Sequence, residues 1–356
     1  MKRFLSAILV FVLTFGTAAV WGKPPYRERP AVWGKPPYRE RPAVWGKPPY
    51  PRNAQSKGPV QTEFRRAPYV GAIAADAGGR ILFTDNAEKK AYPASVTKLM
   101  TLLIVLEDIA AGKYSFDDAV TATADVYRSE PSWIGLKVGD KIVIRDLIIS
   151  LMVESANDAA IALGVNSSGS FDGFIVKMNA RAKELGMTAT EYYNPNGLPP
   201  NAAKKYPWKK FNYTTAADQL KLAQELAKHP ETFDFTSVKT ADLVKTPSGY
   251  RVNVTRKVGV PNTTTSLAEG ETLVKQLRNH NNIMVKDKKK LINPDGSEAV
   301  DGFKTGYIDA GGSSIVITAK RGPKRVIAVV LGSASSDDRD EAARRIVSDA
   351  LEAVAW

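Results

Sequence analysis

The chain has 356 residues, a formal net charge of +13 at pH 7 and 44% hydrophobic residues, enough for one large domain or two medium ones with a sizeable core. It holds no cysteine and only two histidines, His229 and His280, far apart in sequence. That excludes a disulfide scaffold, an iron–sulfur cluster and a cysteine nucleophile, and argues against a zinc site or a Ser-His-Asp hydrolase. The charge is also unevenly placed. Residues 1–68 carry 13 Lys/Arg against 3 Glu, a balance of +10, and the remaining 288 residues carry only +3, so no nucleic-acid partner is expected for the globular part.

In chain order, Lys2 and Arg3 precede an apolar run from Phe4 to Phe15 and the small residues "GTAA". This predicts a secretory signal over residues 1–19; an uncleaved N-terminal anchor is the other reading, and both export the rest. Residues 20–67 hold a basic repeat of period 12, "AVWGKPPYRERP", starting at Ala19, Ala31 and Ala43. Half of the prolines, 11 of 22, fall between residues 20 and 68. Proline fixes φ and favours extended polyproline II, so the segment reads as a semi-rigid linker. The folded region is expected over 68–356. A hairpin is predicted around Gly78 and Gly79, then a helix from Ser95 to Ala111 with Leu99, Leu102, Leu103 and Leu106 on one side. Two apolar helical runs follow with a polar break at Ser155 to Asp158, then a helix closed by Gly186 and one opened by a capping box of Thr215 and Asp218. "KDKKKLINPDGSE" reads as an exposed hairpin. "DGFKTGYID", "GGSSIVITAK" and "KRVIAVVLGS" read as strands, and a final helix closes the chain. The order implies an α/β fold: an antiparallel sheet flanked by terminal helices, with an all-α subdomain inserted.

Three short motifs carry chemistry. "SVTK" puts Lys98 one helical turn after Ser95. The bland reading is a capped helix with a solvated lysine; the sharp one is a nucleophile beside its base. An ammonium cannot accept a proton, so the second reading needs burial or a neighbouring cation to lower the lysine pKa. "SAN", Ser155 to Asn157, offers a hydroxyl and an amide on one turn. "KTG", Lys304 to Gly306, offers a fixed cation, a hydroxyl donor at Thr305, and a glycine that lets a substrate backbone approach the strand. "KTP", Lys245 to Pro247, is read as a loop, because proline forbids that close pairing.

Together, in this order, the motifs and the runs "PASVTKLMT", "ESANDAA", "NPNGL" and "DGFKTGYIDAGG" resemble the serine D-alanyl-D-alanine carboxypeptidases, the low-molecular-mass penicillin-binding proteins, from about Tyr69 to the end. Ala156 departs from the family triplet, which has Asp there. The resemblance implies a five-stranded β-lactamase/transpeptidase-like fold. It implies Ser95 as acyl-enzyme nucleophile, Lys98 as its base and Ser155 as proton relay. Asn157 would position the donor peptide, Lys304 would supply charge, and Thr305 would bind the terminal carboxylate, with Arg339 as a further carboxylate ligand or an ordinary helix residue. The N–H groups of Ser95 and Tyr307 would form the oxyanion hole. The implied partners are a peptidoglycan stem peptide ending in D-Ala-D-Ala and β-lactams as inhibitors, with no cofactor, no metal and no membrane span after signal cleavage. The implied location is the bacterial periplasm or cell-wall space. A D-alanyl endopeptidase and a class A-like β-lactamase remain as alternatives. For the latter, Glu191 lies in a suitable loop, but Pro195 stands where a class A partner Asn belongs. No C-terminal membrane helix is expected after Trp356.

Overall fold

The computed structural model describes residues 68–126, 131–200 and 208–354. The expected signal (1–19) and repeat linker (20–67) lie outside the described residues. The hairpin predicted at Gly78 and Gly79 is β1 (Gly71–Asp76) and β2 (Ile81–Asp85). The three strands predicted near the end are β8 (Val300–Ile308), β9 (Gly312–Arg321) and β10 (Lys324–Ser333). These five form one antiparallel sheet of order β2-β1-β10-β9-β8.

Strand alternation sorts the sheet's side chains to two cores. Ala72 and Ala74 of β1, with Val326, Ala328 and Val330 of β10, pack with Ala343, Ile346, Val347 and Leu351 of the last helix, α8 (Ser336–Ala353). Ile73 and Ala75, with Ile327, Val329 and Leu331, face the larger core built by the inserted helices. That insertion contains α1 (Lys98–Ala110), α2 (Ile144–Val153), α3 (Asn157–Ser168), α4 (Phe171–Glu184), α5 (Ala216–Leu226) and the short α6 (Thr232–Thr236). In α1, Leu99, Leu102, Leu103 and Leu106 are all buried, as are nearly all their neighbours, so this helix is central rather than amphipathic. At α5 the Thr215 hydroxyl caps the Asp218 N–H at 3.1 Å, whereas the Asp218 carboxylate serves Ala189 N, Thr190 Oγ1 and Lys221 Nζ.

The insertion is not purely helical. It also holds the short pair β3 (Ala119–Thr121) and β4 (Lys141–Val143), and a three-stranded antiparallel sheet of β5 (Val238–Thr246), β6 (Gly249–Lys257) and β7 (Thr272–Arg278), in the order β6-β5-β7. Polar residues mask these strands in the sequence. Lys239 and Asp242 are buried in β5 because Glu298 and Thr265 satisfy them. Lys245 lies in β5 rather than in a loop, and Pro247 falls in the turn to β6. The "KDKKKLINPDGSE" tract forms a helical turn at Asp287–Lys289 and a single bridge between Ile292 and Glu298, preceded by α7 (Asn282–Val285). Among the described residues no single helix is long and apolar enough to cross a membrane.

Asp146, in the first turn of α2, ties that helix to β6 by accepting from Val252 N at 2.8 Å. Burial raises its carboxyl to about 6, against the pull of the Val252 N–H, Arg145 and Arg251. A raised carboxyl pKa means the fold favours the protonated form, so stability falls as pH rises from the unfolded value through about 6. Asp146→Asn keeps an oxygen acceptor without the charge. It is expected to raise the melting temperature at pH 8 by roughly 2–4 °C and to give no gain at pH 4, as thermal melts at the two pH values will show.

Candidate active site

The segment before α1 is not a capped helix start. Ala94–Thr97 forms a 3-10 turn and the α-helix begins at Lys98. Ala94 is held at φ +49, a region non-glycine residues rarely occupy and one that costs about 1–3 kcal/mol. The turn places Ser95, half-buried, directly over Lys98, which is fully buried. The Lys98 Nζ meets Ser95 Oγ at 2.9 Å, Asn157 Oδ1 at 2.8 Å and Asn196 O at 2.7 Å. Burial, then the charge of Lys304, hold the amine well below the ordinary lysine range; Asp158 opposes them. When the amine is neutral, its lone pair can take the Ser95 proton.

The wall behind Lys98 is the loop over residues 192–198, whose asparagines fold it onto itself. Asn194 Oδ1 accepts from the N–H groups of Asn196 and Gly197, and Asn212 Oδ1 accepts from those of Tyr193 and Asn194. Asn212 Nδ2 donates to Thr97 Oγ1 and Asn194 O, and Thr101 Oγ1 donates to Pro195 O. Gly197, at φ +83, lies so close to the 3-10 turn that a Cβ would stand 1.7 Å from Ala94 O. The run "NPNGL" therefore delivers a carbonyl to Lys98. Nothing in the sequence assigned it that task, since asparagines that bond backbone carry no spacing signal of their own.

Ser155 and Asn157 stand at the break between α2 and α3. Ser155 has φ +61, and its buried hydroxyl has no hydrogen-bond partner among the described residues. The break is fixed by its neighbours. Asn157 N donates to Ser132 O, and the Asp158 carboxylate gathers the N–H groups of Ile134, Gly135, Leu136 and Ala159. Burial raises the Asp158 carboxyl and those four N–H groups pull it back. Lys275 of β7 adds a strut, donating to Trp133 O at 2.7 Å and Glu154 Oε1 at 2.8 Å.

Lys304 is buried on β8 and donates to Thr305 O at 3.1 Å. Burial and then Arg339 lower it to about 7, with Glu154 opposing. Gly306 has a use inside the fold as well. A Cβ there would meet Pro93 O at 2.6 Å and Ser95 N at 2.9 Å, so the glycine lets β8 reach the serine turn. Thr305 is buried beside Lys304, and Tyr307 is 54% exposed with its hydroxyl on Asp309 at 2.7 Å. Arg339 is buried on α8, its guanidinium on Asp340 at 2.5 and 2.9 Å, and its charge is felt at Lys304. Thus direct hydrogen bonds join Ser95, Lys98 and Asn157; close approach joins Gly306 to them; and electrostatics joins Lys304 and Arg339. His280, which no motif flagged, belongs to the same field: Lys304, Lys98, Arg339 and Lys275 all act on it.

Other reactive groups are already engaged. The Glu191 carboxylate accepts from the Tyr213 hydroxyl, which with the Tyr193 hydroxyl holds it below the usual carboxylate range. Glu107, Glu225 and His229 cluster within metal-binding reach of one another, but Arg181 already pairs with both glutamates, at 2.6 and 3.1 Å.

A family described as D-alanyl-D-alanine carboxypeptidase (peptidase S11) matches residues 71–258 and 260–335. D-alanyl-D-alanine carboxypeptidase DacF of Bacillus subtilis is 29% identical over 262 residues, which is 74% of this chain and 56% of that protein. The chain thus spans little more than half the length of that relative. The crystal structure of the D-alanyl-D-alanine carboxypeptidase DacD from Francisella tularensis matches with TM-score 0.66 and 28% identity, covering 85% of this chain and 76% of that one. Penicillin-binding protein D2 of Listeria monocytogenes, solved in its ampicillin-bound form, matches with TM-score 0.59 and 26% identity, covering 79% of this chain and 96% of that one.

A methyl group at residue 306 must push the serine turn from β8. Gly306→Ala is expected to lower the melting temperature by at least roughly 2–4 °C with far-UV circular dichroism unchanged, as thermal melts of the two proteins will show.

Proposed function

Because the chain belongs to the D-alanyl-D-alanine carboxypeptidase family, we propose that it removes the terminal D-alanine from peptidoglycan stem peptides through an acyl-enzyme on Ser95, and that β-lactams acylate the same hydroxyl. The observation that carries this reading is the Lys98 amine, fully buried, depressed by burial and by Lys304, and 2.9 Å from Ser95 Oγ.

In the proposed cycle, neutral Lys98 takes the Ser95 proton as Oγ attacks the carbonyl of the penultimate D-alanine. The N–H groups of Ser95 and Tyr307 hold the resulting oxyanion; one such donor is worth about 10²–10³ in rate. Ser155, whose hydroxyl has no partner among the described residues, passes a proton to the departing D-alanine amine. Asn157 lends Oδ1 to Lys98 and offers Nδ2 to the donor peptide. Lys304, Thr305 and Arg339 attract the terminal carboxylate. Water then attacks the ester, with Lys98 again as base, and frees the shortened peptide. Every proton in this cycle is carried by a side chain of the site or by water. A stem-peptide substrate lies outside the cytoplasm, which agrees with export by the signal expected over residues 1–19. The engagement of Glu191 by two tyrosines weighs against a class A-like β-lactamase, since it leaves that carboxylate no free role as a deacylating base.

Two measurements test the reading. Fluorescent penicillin is expected to label the wild type, and a D-alanyl-D-alanine peptide to release D-alanine. Both are expected to vanish in Ser95→Ala, and labelling that survives there overturns the assignment. The second is a pH profile. Lys304 is charged below about 7 and loses its charge as pH rises through that value, so kcat/KM is expected to fall on the alkaline side near it. In Lys304→Arg the cation persists, and that alkaline limb is expected to disappear.

A further inference from the structure

Three short segments meet beside the serine turn. Ala91 bridges Thr214 and Tyr213 bridges Glu191, so residues 90–92, 211–214 and 191–193 run side by side. Extended backbone sends alternate side chains to opposite faces. Ala91, Tyr192, Asn212 and Thr214 are buried on one face, where Asn212 ties Thr97 to the loop over residues 192–198. The other face therefore carries Lys90 and Tyr92, Phe211 and Tyr213, Glu191 and Tyr193, none of them buried. The proposed cycle uses none of these groups.

That face is ordered by its own contacts. The Tyr92 and Phe211 rings stack, with centroids 4.4 Å apart and planes at 16°. The Tyr213 hydroxyl donates to Glu191 Oε2, and with the Tyr193 hydroxyl it holds the carboxyl below its usual range. Lys90 Nζ lies 4.4 Å from the centre of the Tyr213 ring, and Lys210 Nζ 5.2 Å from that of Tyr193. Both lysines act on Glu191 by charge, while their ammonium groups stand over rings. A carboxylate has about four lone-pair sites, so two hydroxyls leave room on Glu191 for an ammonium. The face thus offers an aromatic platform, one anion and two cations.

Its place relative to the reaction follows from β8. In the proposed cycle Lys304 and Thr305 attract the terminal carboxylate, and the N–H of Tyr307 holds the oxyanion. The donor peptide therefore runs along β8 from residue 304 toward residue 311, with its earlier residues farthest on. Gly311, in the turn after β8, lies against Tyr92: a Cβ there would stand 2.9 Å from Tyr92 Cβ and 3.2 Å from Tyr92 O. Tyr92 is also three residues before Ser95, at most roughly 10–11 Å along the chain. The aromatic pair thus stands where the peptide leaves the reacting groups.

We propose that this face is the subsite for the side chain of the residue before the two D-alanines, and that it selects a diamino acid whose side chain ends in both an amine and a carboxylate. The methylenes lie on the Tyr92–Phe211 pair, the amine meets Glu191, and the carboxylate meets Lys90 and Lys210. The proposal rests on the carboxypeptidase reading and adds to it the identity of one substrate residue. Charges of both signs on one face favour an end group that carries both.

Three peptides test it, alike except before the two D-alanines: diaminopimelate, with both end charges; lysine, with the amine alone; and norleucine, with neither. D-Alanine release is measured on the full protein. The readout is the ratio of kcat/KM between peptides on one preparation, so any unfolded fraction of a variant cancels. The wild type is expected to favour the diaminopimelate peptide over the norleucine peptide about tenfold or more, with lysine between them. In Glu191→Gln the advantage of lysine over norleucine is expected to shrink to within about twofold. In the double variant Lys90→Met, Lys210→Met the advantage of diaminopimelate over lysine is expected to shrink likewise. Equal turnover of the three peptides by the wild type overturns the proposal and leaves the carboxypeptidase reading intact. So does a preference that survives in either variant, which places recognition elsewhere. A wild-type preference for lysine over diaminopimelate also overturns it, since the end group is then a lone cation. No D-alanine from any peptide sinks the carboxypeptidase reading, and the proposal with it.

Discussion

The burial of one amine organises this molecule. An ammonium taken out of water costs several kcal/mol unless partners replace its hydration. The fold surrounds Lys98 with three oxygens from three separate elements: the serine turn, the start of α3 and the loop over residues 192–198. It also withholds a carboxylate from direct contact and places a second lysine within electrostatic reach. The three acceptors make a charged amine tolerable; burial and Lys304 make a neutral one preferable. A group balanced in this way can gain and lose a proton without the structure around it moving. Backbone strain collects at the same place, with Ala94 and Ser155 both at positive φ on either side of the amine.

Two sheets and a helical body clamp that centre. β8 is the outer strand of the five-stranded sheet, and the absence of a side chain at Gly306 brings it against the serine turn. β7 is an outer strand of the smaller sheet, and Lys275 braces it to Glu154 beside Ser155. α8 lies on the far face of the large sheet, yet Arg339 sends its charge through to Lys304. Basic side chains from α1, β8 and α8 therefore come within electrostatic reach of one another, on elements brought together only by the tertiary fold. The positive character of the cleft is local, and the nearly balanced charge of residues 69–356 conceals it.

Much of the centre was legible in the sequence because its groups are reactive types at fixed spacing. Ser95 and Lys98 are one turn apart, Ser155 and Asn157 flank a helix break, and Lys304 starts a tripeptide on a strand. The large sheet was legible for another reason: its strands are short apolar runs bounded by glycine and turn residues. The smaller sheet was hidden, because Lys239 and Asp242 are buried in β5 by partners far along the chain, and a pattern reading takes them for solvent-facing positions. Asn194, Asn196 and Asn212 were unassigned because they act through the backbone, in contacts that exist only once the loop is folded. Gly306 was singled out for an approaching substrate, and its close packing against the protein's own turn was not visible in the sequence.

The register of the central strands has a bearing on how the polypeptide acquires its shape. Gly71 of β1 pairs with Leu331 of β10, 260 positions along the chain, and β10 is the strand through which β1 joins β9 and β8. The hairpin of β1 and β2 forms locally, but it has no sheet to join until almost the whole polypeptide is available. Such long-range closure is slow and leaves apolar strand edges uncovered in the interim. A nascent chain of this kind stays open while it is being made, and its reactive centre comes together only when the last strands are available to bring β8 against the serine turn.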